Sequence, residues 1–145
     1  MKKSFLFFFV FTSLSATIIN IPSDHATIQE GINASVNGDT VLIAQGTYYE
    51  NIILGKEIVL ASHAIYDELE ADWQDNDNIQ GTIINGDHNG SAMIIRDGNI
   101  EPMIIGLTFQ DGTGTYMQVH GCDLVYQKRS GGAILIYKAY PTINY

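Results

Sequence analysis

The chain has 145 residues, 46% of them hydrophobic, with seven basic and sixteen acidic side chains and a formal charge of −9. That length fits one domain with enough apolar content for a core, and the acidic balance excludes nucleic acid as a partner, since affinity there comes from neutralising phosphates. The single cysteine, Cys122, excludes an internal disulfide framework and reads as a small buried apolar group rather than a nucleophile.

Residues Met1 to Ala16 stand apart. Lys2 and Lys3 form a basic start, Phe5 to Phe11 is wholly apolar, and Thr12 to Ala16 supplies small residues. This is the pattern of a secretory signal peptide over 1–16, with cleavage expected close to Ser15–Thr17. A transmembrane anchor is the weaker reading, because spanning takes about twenty mostly apolar residues and polar ones interrupt from Thr12 onward. No cysteine follows to carry a lipid. The expected location is secreted or cell surface, with no membrane insertion of the mature chain 17–145. Without Lys2 and Lys3 the mature chain keeps five basic residues against sixteen acidic ones, a formal charge near −11, which favours solubility.

The mature chain opens on one helix. Thr27 and Glu30 have capping-box spacing, and Ile28, Ile32 and Val36 recur at four-residue steps as an apolar stripe. Asn37-Gly38 is expected to end the helix. Val41 to Ala44 then runs apolar without alternation, as strands buried on both faces do. Gln45-Gly46 reads as a turn and Thr47 to Leu54 as a second β-prone run. After Gly55-Lys56-Glu57, Ile58 to Ser62 is another apolar run, and Val59, seventeen residues after Leu42, marks one lap of a coil. Residues 63–79 interrupt with six of the sixteen acids (Asp67, Glu68, Glu70, Asp72, Asp75, Asp77). Ile65, Leu69 and Trp73 there keep the four-residue spacing of a short helix.

Strand character resumes at Thr82-Ile83-Ile84, Ala92 to Ile95 and Met103 to Phe109, separated by Gly-containing turns at Asn85-Gly86, Asn89-Gly90 and Asp97-Gly98, with Asp111-Gly112 closing the last run. Residues 113–132 form a mixed excursion, Ala133 to Ile136 returns to strand, and Pro141 to Tyr145 starts another. Short β-runs with one clear helix argue for an all-β fold. A sandwich would alternate apolar and polar residues along each strand. The unbroken runs VLIA, IVLA, MII and AILI favour parallel coils stacked into a solenoid, with Asn51, Asn85 and Asn144 at its corners.

The segments TIQEGINASVNGDTVLIAQGTYYENI, GKEIVLAS, TIINGDHNGS, IIGLTFQDGTG and GGAILIY resemble the opening of secreted right-handed parallel β-helix proteins of the pectin-lyase-like fold, over nearly all of residues 26–145. The resemblance implies an amino-terminal helix plugging the coil end, followed by the first coils of a longer repeat protein. It implies no activity, because one fold hosts many functions. Enzymes of that fold use Ca²⁺-binding carboxylates with a basic residue, paired carboxylates, or two aspartates with an arginine, and none of these motifs is recognisable here. The likeness to pectin methylesterases at GTYYE is confined to the cap and first coil and carries over no catalytic residue.

No residue is therefore assigned as catalytic, cofactor-binding or metal-ligating. Arg96, one of two arginines beside Arg129, reads as the close of a strand into a turn. The acidic stretch 67–77, with Asn76 and Asn78 adjoining, offers the oxygen ligands Ca²⁺ takes, yet it lacks the EF-hand order and reads better as a solvated excursion. Ca²⁺ is the one cofactor left open. Asp87-His88-Asn89-Gly90 is a turn before it is a ligand set, and His25, His63, His88 and His120 lack metal-type spacing. Tyr48, Tyr49, Trp73, Tyr116 and Tyr126 would stack on sugar rings if exposed together, against the more ordinary role of packing. Asn33 and Asn89 match the glycosylation pattern, Asn33 within the expected helix. The leading expectation is an exported β-helix repeat protein with a non-catalytic surface or carbohydrate-associated role, with polysaccharide the partner class left open. The alternatives are the amino-terminal part of a polysaccharide lyase or glycoside hydrolase with its catalytic coils downstream, or an adhesin segment. The strand at 133–136 and the start at 141–145 lack a closing cap, so truncation and self-association through the 133–145 end are also expected.

Overall fold

Unalternating apolar runs need cover on both faces, and the chain meets that need by pairing strands that lie far apart in sequence. The structure, a computed structural model, describes residues 15–68, 73–120 and 125–144. The expected leader through Leu14, together with Leu69, Glu70, Asp72, Cys122 and Tyr145, lies outside the described residues, as do the side chains of His120 and Tyr126.

In chain order the described elements are β1 (Ile18–Ile21), α1 (Ile28–Ala34), β2 (Thr40–Ile43), β3 (Gly46–Tyr49), β4 (Ile52–Leu54), β5 (Val59–Ser62), α2 (Asp77–Gly81), β6 (Thr82–Asn85), β7 (Met93–Ile95), β8 (Met103–Ile105), β9 (Thr108–Gln110), β10 (Thr115–His120), β11 (Val125–Ser130), β12 (Ile134–Ile136) and β13 (Thr142–Asn144). They form three parallel sheets, ordered β1-β2-β5-β8-β13, β3-β6-β9 and β4-β7-β12, beside an antiparallel hairpin, β10-β11. The class is all-β. Successive strands visit the sheets in a fixed order: β2, β3 and β4 each enter a different sheet, β5, β6 and β7 repeat the sequence, and β8, β9 and β12 repeat it again.

Register stacks like side chains on one another. Ile19, Val41, Leu60, Ile104 and Ile143 form one ladder in the first sheet. Tyr48, Ile84 and Phe109 line up in the second. Leu54, Ile95 and Ile136 align in the third. The middle members of each ladder belong to one buried core cluster. Asn51 ties neighbouring rounds together at a corner, its amide nitrogen donating to Gly86 O (3.1 Å) and Ser91 O (3.0 Å).

Helix α1 covers the beginning of this stack. Its capping box is complete: Thr27 Oγ1 accepts from Glu30 N and Glu30 Oε2 accepts from Thr27 N, each at 3.2 Å. The remaining free amides of the first turn are met from a distance. The Glu50 carboxylate accepts from Ile28 N at 2.9 Å and Gln29 N at 3.0 Å. At the other end Lys56 Nζ donates to the carbonyls of Ile32, Asn33 and Ser35 at 2.7, 2.9 and 2.6 Å. An anion thus sits at the positive end of the helix and a cation at the negative end. The Gln29 amide lies along the free edge of β4, accepting from Ile53 N (2.7 Å) and donating to Ile53 O (3.3 Å), in place of a neighbouring strand. Gly31 lets the helix approach closely, because a Cβ there would stand 2.7 Å from Ile21 Cδ1.

Several expectations need correction. Ser35 caps α1, so Val36 falls outside the helix and is exposed, and Asn37-Gly38 forms the turn after it. Leu42 pairs with Ala61, while Val59 pairs with Thr40, so the lap is two residues longer than the apolar match implied. Thr47 to Leu54 is two strands in different sheets, as is Met103 to Phe109, which bends at Gly106 (φ 61°). A Cβ on Gly106 would also collide with Ala64 and Ser62. The helix expected through Ile65, Leu69 and Trp73 is absent among the described residues. A 3₁₀ turn over His63–Tyr66 ends at extended Asp67, another spans Trp73–Asp75, and α2 follows. The excursion 113–132 contains the β10-β11 hairpin.

Candidate functional site

Among the described residues two concavities stand out, and they differ in the polar groups that line them. The larger, about 540 Å³, lies beside α1 and is lined by Gln29, Ile32, Asn33, Asn51, Ile53, Gly55 and Lys56. Gln29 is bonded to Ile53 and Asn33, Asn51 to two backbone carbonyls, and Lys56 to three. This groove is polar because the cap is held together there.

The second, about 290 Å³, opens between the turn after β6 and the base of the hairpin. His88, Asn89, Gly90, Gly114, Thr115, Tyr116 and Arg129 line it. Its floor is stitched by small hydroxyl residues. Thr113 Oγ1 accepts from Gly90 N (3.2 Å) and donates to His88 O (3.0 Å). Thr115 Oγ1 accepts from Ser91 N and donates to Ser91 Oγ, both at 3.1 Å. Close contact of the strands here requires glycine: a Cβ on Gly114, whose φ is 84°, would run into the carbonyl oxygen of Gly131. Tyr116 and Arg129 face each other across the hairpin, with the guanidinium 5.0 Å from the ring centre. Tyr116 is 63% exposed. Among the described residues Arg129 forms no ion pair, whereas Arg96 is paired with Asp97 at 3.5 Å. His88 Nε2 lies 4.0 Å from Asp111 Oδ1.

The cleft thus joins an exposed aromatic ring, a guanidinium, an imidazole and amide and hydroxyl groups. Such a mixture suits a polar ring that presents C–H faces and hydroxyls. Of the aromatic side chains singled out in the sequence, and among those the structure describes, it contains Tyr116 alone. Tyr48 is partly buried and donates to Ala44 O at 2.9 Å; burial, aided by the Glu50 charge, raises its pKa. Tyr49 and Trp73 are exposed elsewhere on the chain.

The acidic stretch is organised around Asp67, whose carboxylate accepts from the side-chain amides of Asn78 and Asn76, both at 2.9 Å. Those bonds hold it below the usual carboxylate range, Asn78 first. Among the described residues no group of three or more His, Cys, Asp or Glu side chains is placed to hold a metal ion. No described helix is long and apolar enough to cross a membrane. The chain matches no protein-family model, no curated protein and no solved structure.

Proposed function

We propose that the chain folds as an exported right-handed parallel β-helix of the pectin-lyase-like kind, with a non-catalytic surface or carbohydrate-associated role at the cell surface or outside the cell. The observation carrying the fold reading is the repeated order in which strands enter three parallel sheets. The right hand follows from the strong preference of parallel crossovers for it. The export reading rests on the basic start and Phe-rich run of residues 1–16.

The saccharide reading rests on the Tyr116–Arg129 cleft, where an exposed ring stands beside a guanidinium that forms no ion pair among the described residues, on an otherwise acidic chain. A sugar ring lies against the free face of Tyr116 while its hydroxyls meet Arg129, His88 and the Asn89 amide. Titration of the purified chain with a panel of neutral and acidic oligosaccharides tests it. Tyr116→Ala is expected to weaken binding about tenfold, since one tenfold step is about 1.4 kcal/mol and an aromatic contact is worth about that much. No binding across the panel, or binding indifferent to Tyr116→Ala, overturns the saccharide reading.

A further inference from the structure

We infer that Asn89 is a site of spontaneous deamidation, placed so that the reaction puts a carboxylate into the Arg129 cleft. The chain carries three Asn-Gly pairs, Asn37-Gly38, Asn85-Gly86 and Asn89-Gly90. All three share one local chemistry: the glycine amide nitrogen, with no Cβ beside it, can attack the carbonyl carbon of the preceding side chain. What differs is how far the fold restrains the two reacting groups.

Asn85 is 7% exposed, and both ends of its amide are held. Its Nδ2 donates to Asp111 Oδ2 at 2.7 Å and its Oδ1 accepts from Asp87 N at 2.8 Å. The attacking atom, Gly86 N, donates to Gln110 O at 2.9 Å. Asn37 lies at the surface, yet its Oδ1 accepts from Glu57 N at 3.1 Å and Gly38 N donates back to Glu57 O at 2.8 Å. Reaction at either pair must first break bonds to a neighbouring round, which takes local opening.

Asn89 is restrained far less. Its side chain is exposed on the turn after β6, and among the described residues its amide forms no hydrogen bond. Gly90 N is held by one contact, to the Thr113 hydroxyl at 3.2 Å, the longest of the three. The backbone on either side stays fixed, through Asn89 N to Gly86 O (2.8 Å) and Thr113 N to Gly90 O (2.7 Å). Only the side chain has to swing into place.

The bond formed joins Gly90 N to Asn89 Cγ. The bond broken is Cγ–Nδ2, whose nitrogen leaves as ammonia with the proton of the Gly90 amide. Water then opens the cyclic imide at either carbonyl, leaving aspartate or isoaspartate at position 89. Water is the one co-reactant. Because Asn89 lines the cleft together with His88 and Arg129, the product sets an anion near a guanidinium that has no ion-pair partner among the described residues. Competition between that anion and acidic sugars for Arg129 rests on the saccharide reading; the reaction itself does not.

Ageing of the purified chain in mildly alkaline buffer, followed by peptide mapping with mass spectrometry, is the test. The chain is made in a host that does not glycosylate, because Asn89-Gly90-Ser91 also fits the acceptor pattern. Conversion at Asn89 should run at least about tenfold faster than at Asn37 or Asn85, as expected when the slower sites must first give up hydrogen bonds. In urea the three rates should converge, since only local sequence then counts, and Asn89→Gln should remove the signal from its peptide. Similar rates at the three pairs in the folded chain overturn the proposal. So does faster conversion at Asn37 or Asn85, or a lead for Asn89 that persists undiminished in urea. No saccharide is present in this measurement, so this inference and the saccharide reading fail independently.

Discussion

Glu50→Ala tests the claim that α1 is held by a residue 21 to 22 positions beyond the amides of its first turn. The Glu50 carboxylate accepts two amide bonds at 2.9 and 3.0 Å in a partly buried setting. Removing it leaves Ile28 N–H and Gln29 N–H without acceptors, at about 1–3 kcal/mol for each buried donor and less where water enters. It also removes the anion from the positive end of the helix, a further ~0.3–1 kcal/mol. With partial solvent access the sum is about 2–3 kcal/mol. Thr27→Ala, losing one exposed bond, should cost only about 1 kcal/mol. Loss of one negative charge also relieves repulsion in a chain of charge −9; Glu50→Gln controls for this, since it removes the charge yet keeps one acceptor oxygen, and should fall between the two. Urea titration followed by circular dichroism gives the values, and amide exchange at Ile28 and Gln29 locates the effect. A loss for Glu50→Ala below about 0.5 kcal/mol, or unchanged exchange at both amides, would refute the reasoning.

Two further outcomes follow from single carboxylate and hydroxyl groups. Asp39 accepts from Val36 N and Thr17 N, both at 2.8 Å, and these bonds, Val36 first, hold its pKa below the usual 3.8. Its contribution to stability is therefore fully present above that value and lost as pH falls below it, through the lowered folded-state pKa, so the acid limb of a stability–pH profile should be shallower for Asp39→Asn; identical limbs would count against it. Thr82 is fully buried, and among the described residues its hydroxyl has no hydrogen-bond partner, so Thr82→Val should be neutral or stabilising by up to about 1 kcal/mol, whereas Thr82→Ser, which keeps the hydroxyl and loses the methyl, should cost about 1 kcal/mol. A loss above about 1 kcal/mol for Thr82→Val in urea titration would mean that the hydroxyl is bonded.

The local signals were legible and the long-range ones were not. Thr27 and Glu30 announce a helix start because a capping box is a contact between neighbours in sequence. Nothing near Glu50 or Lys56 tells where their charged ends go, since each crosses more than twenty residues to reach α1. The lap length failed for a different reason. VLIA and IVLA can align two residues apart with the same side chains still facing inward, so apolar matching cannot choose the register. The β10-β11 hairpin escaped notice because a mixed-polarity run such as TYMQVH carries no clean buried face. The cleft inherits that blindness: Tyr116 and Arg129 meet only through the hairpin, with His88 supplied by a turn from the preceding round.

The corner between the first and second sheets spans residues 44–45 after β2, 63–81 after β5 and 106–107 after β8. Yet β2, β5 and β8 stay in unbroken register, as do β3, β6 and β9. Length at a corner is therefore uncoupled from the sheets, and closing a longer loop costs only slowly more entropy. Such a scaffold can acquire whole decorations without re-solving its interior. The corner that holds 63–81 is accordingly where a foreign segment of similar length can be grafted with the ladders on either side left intact.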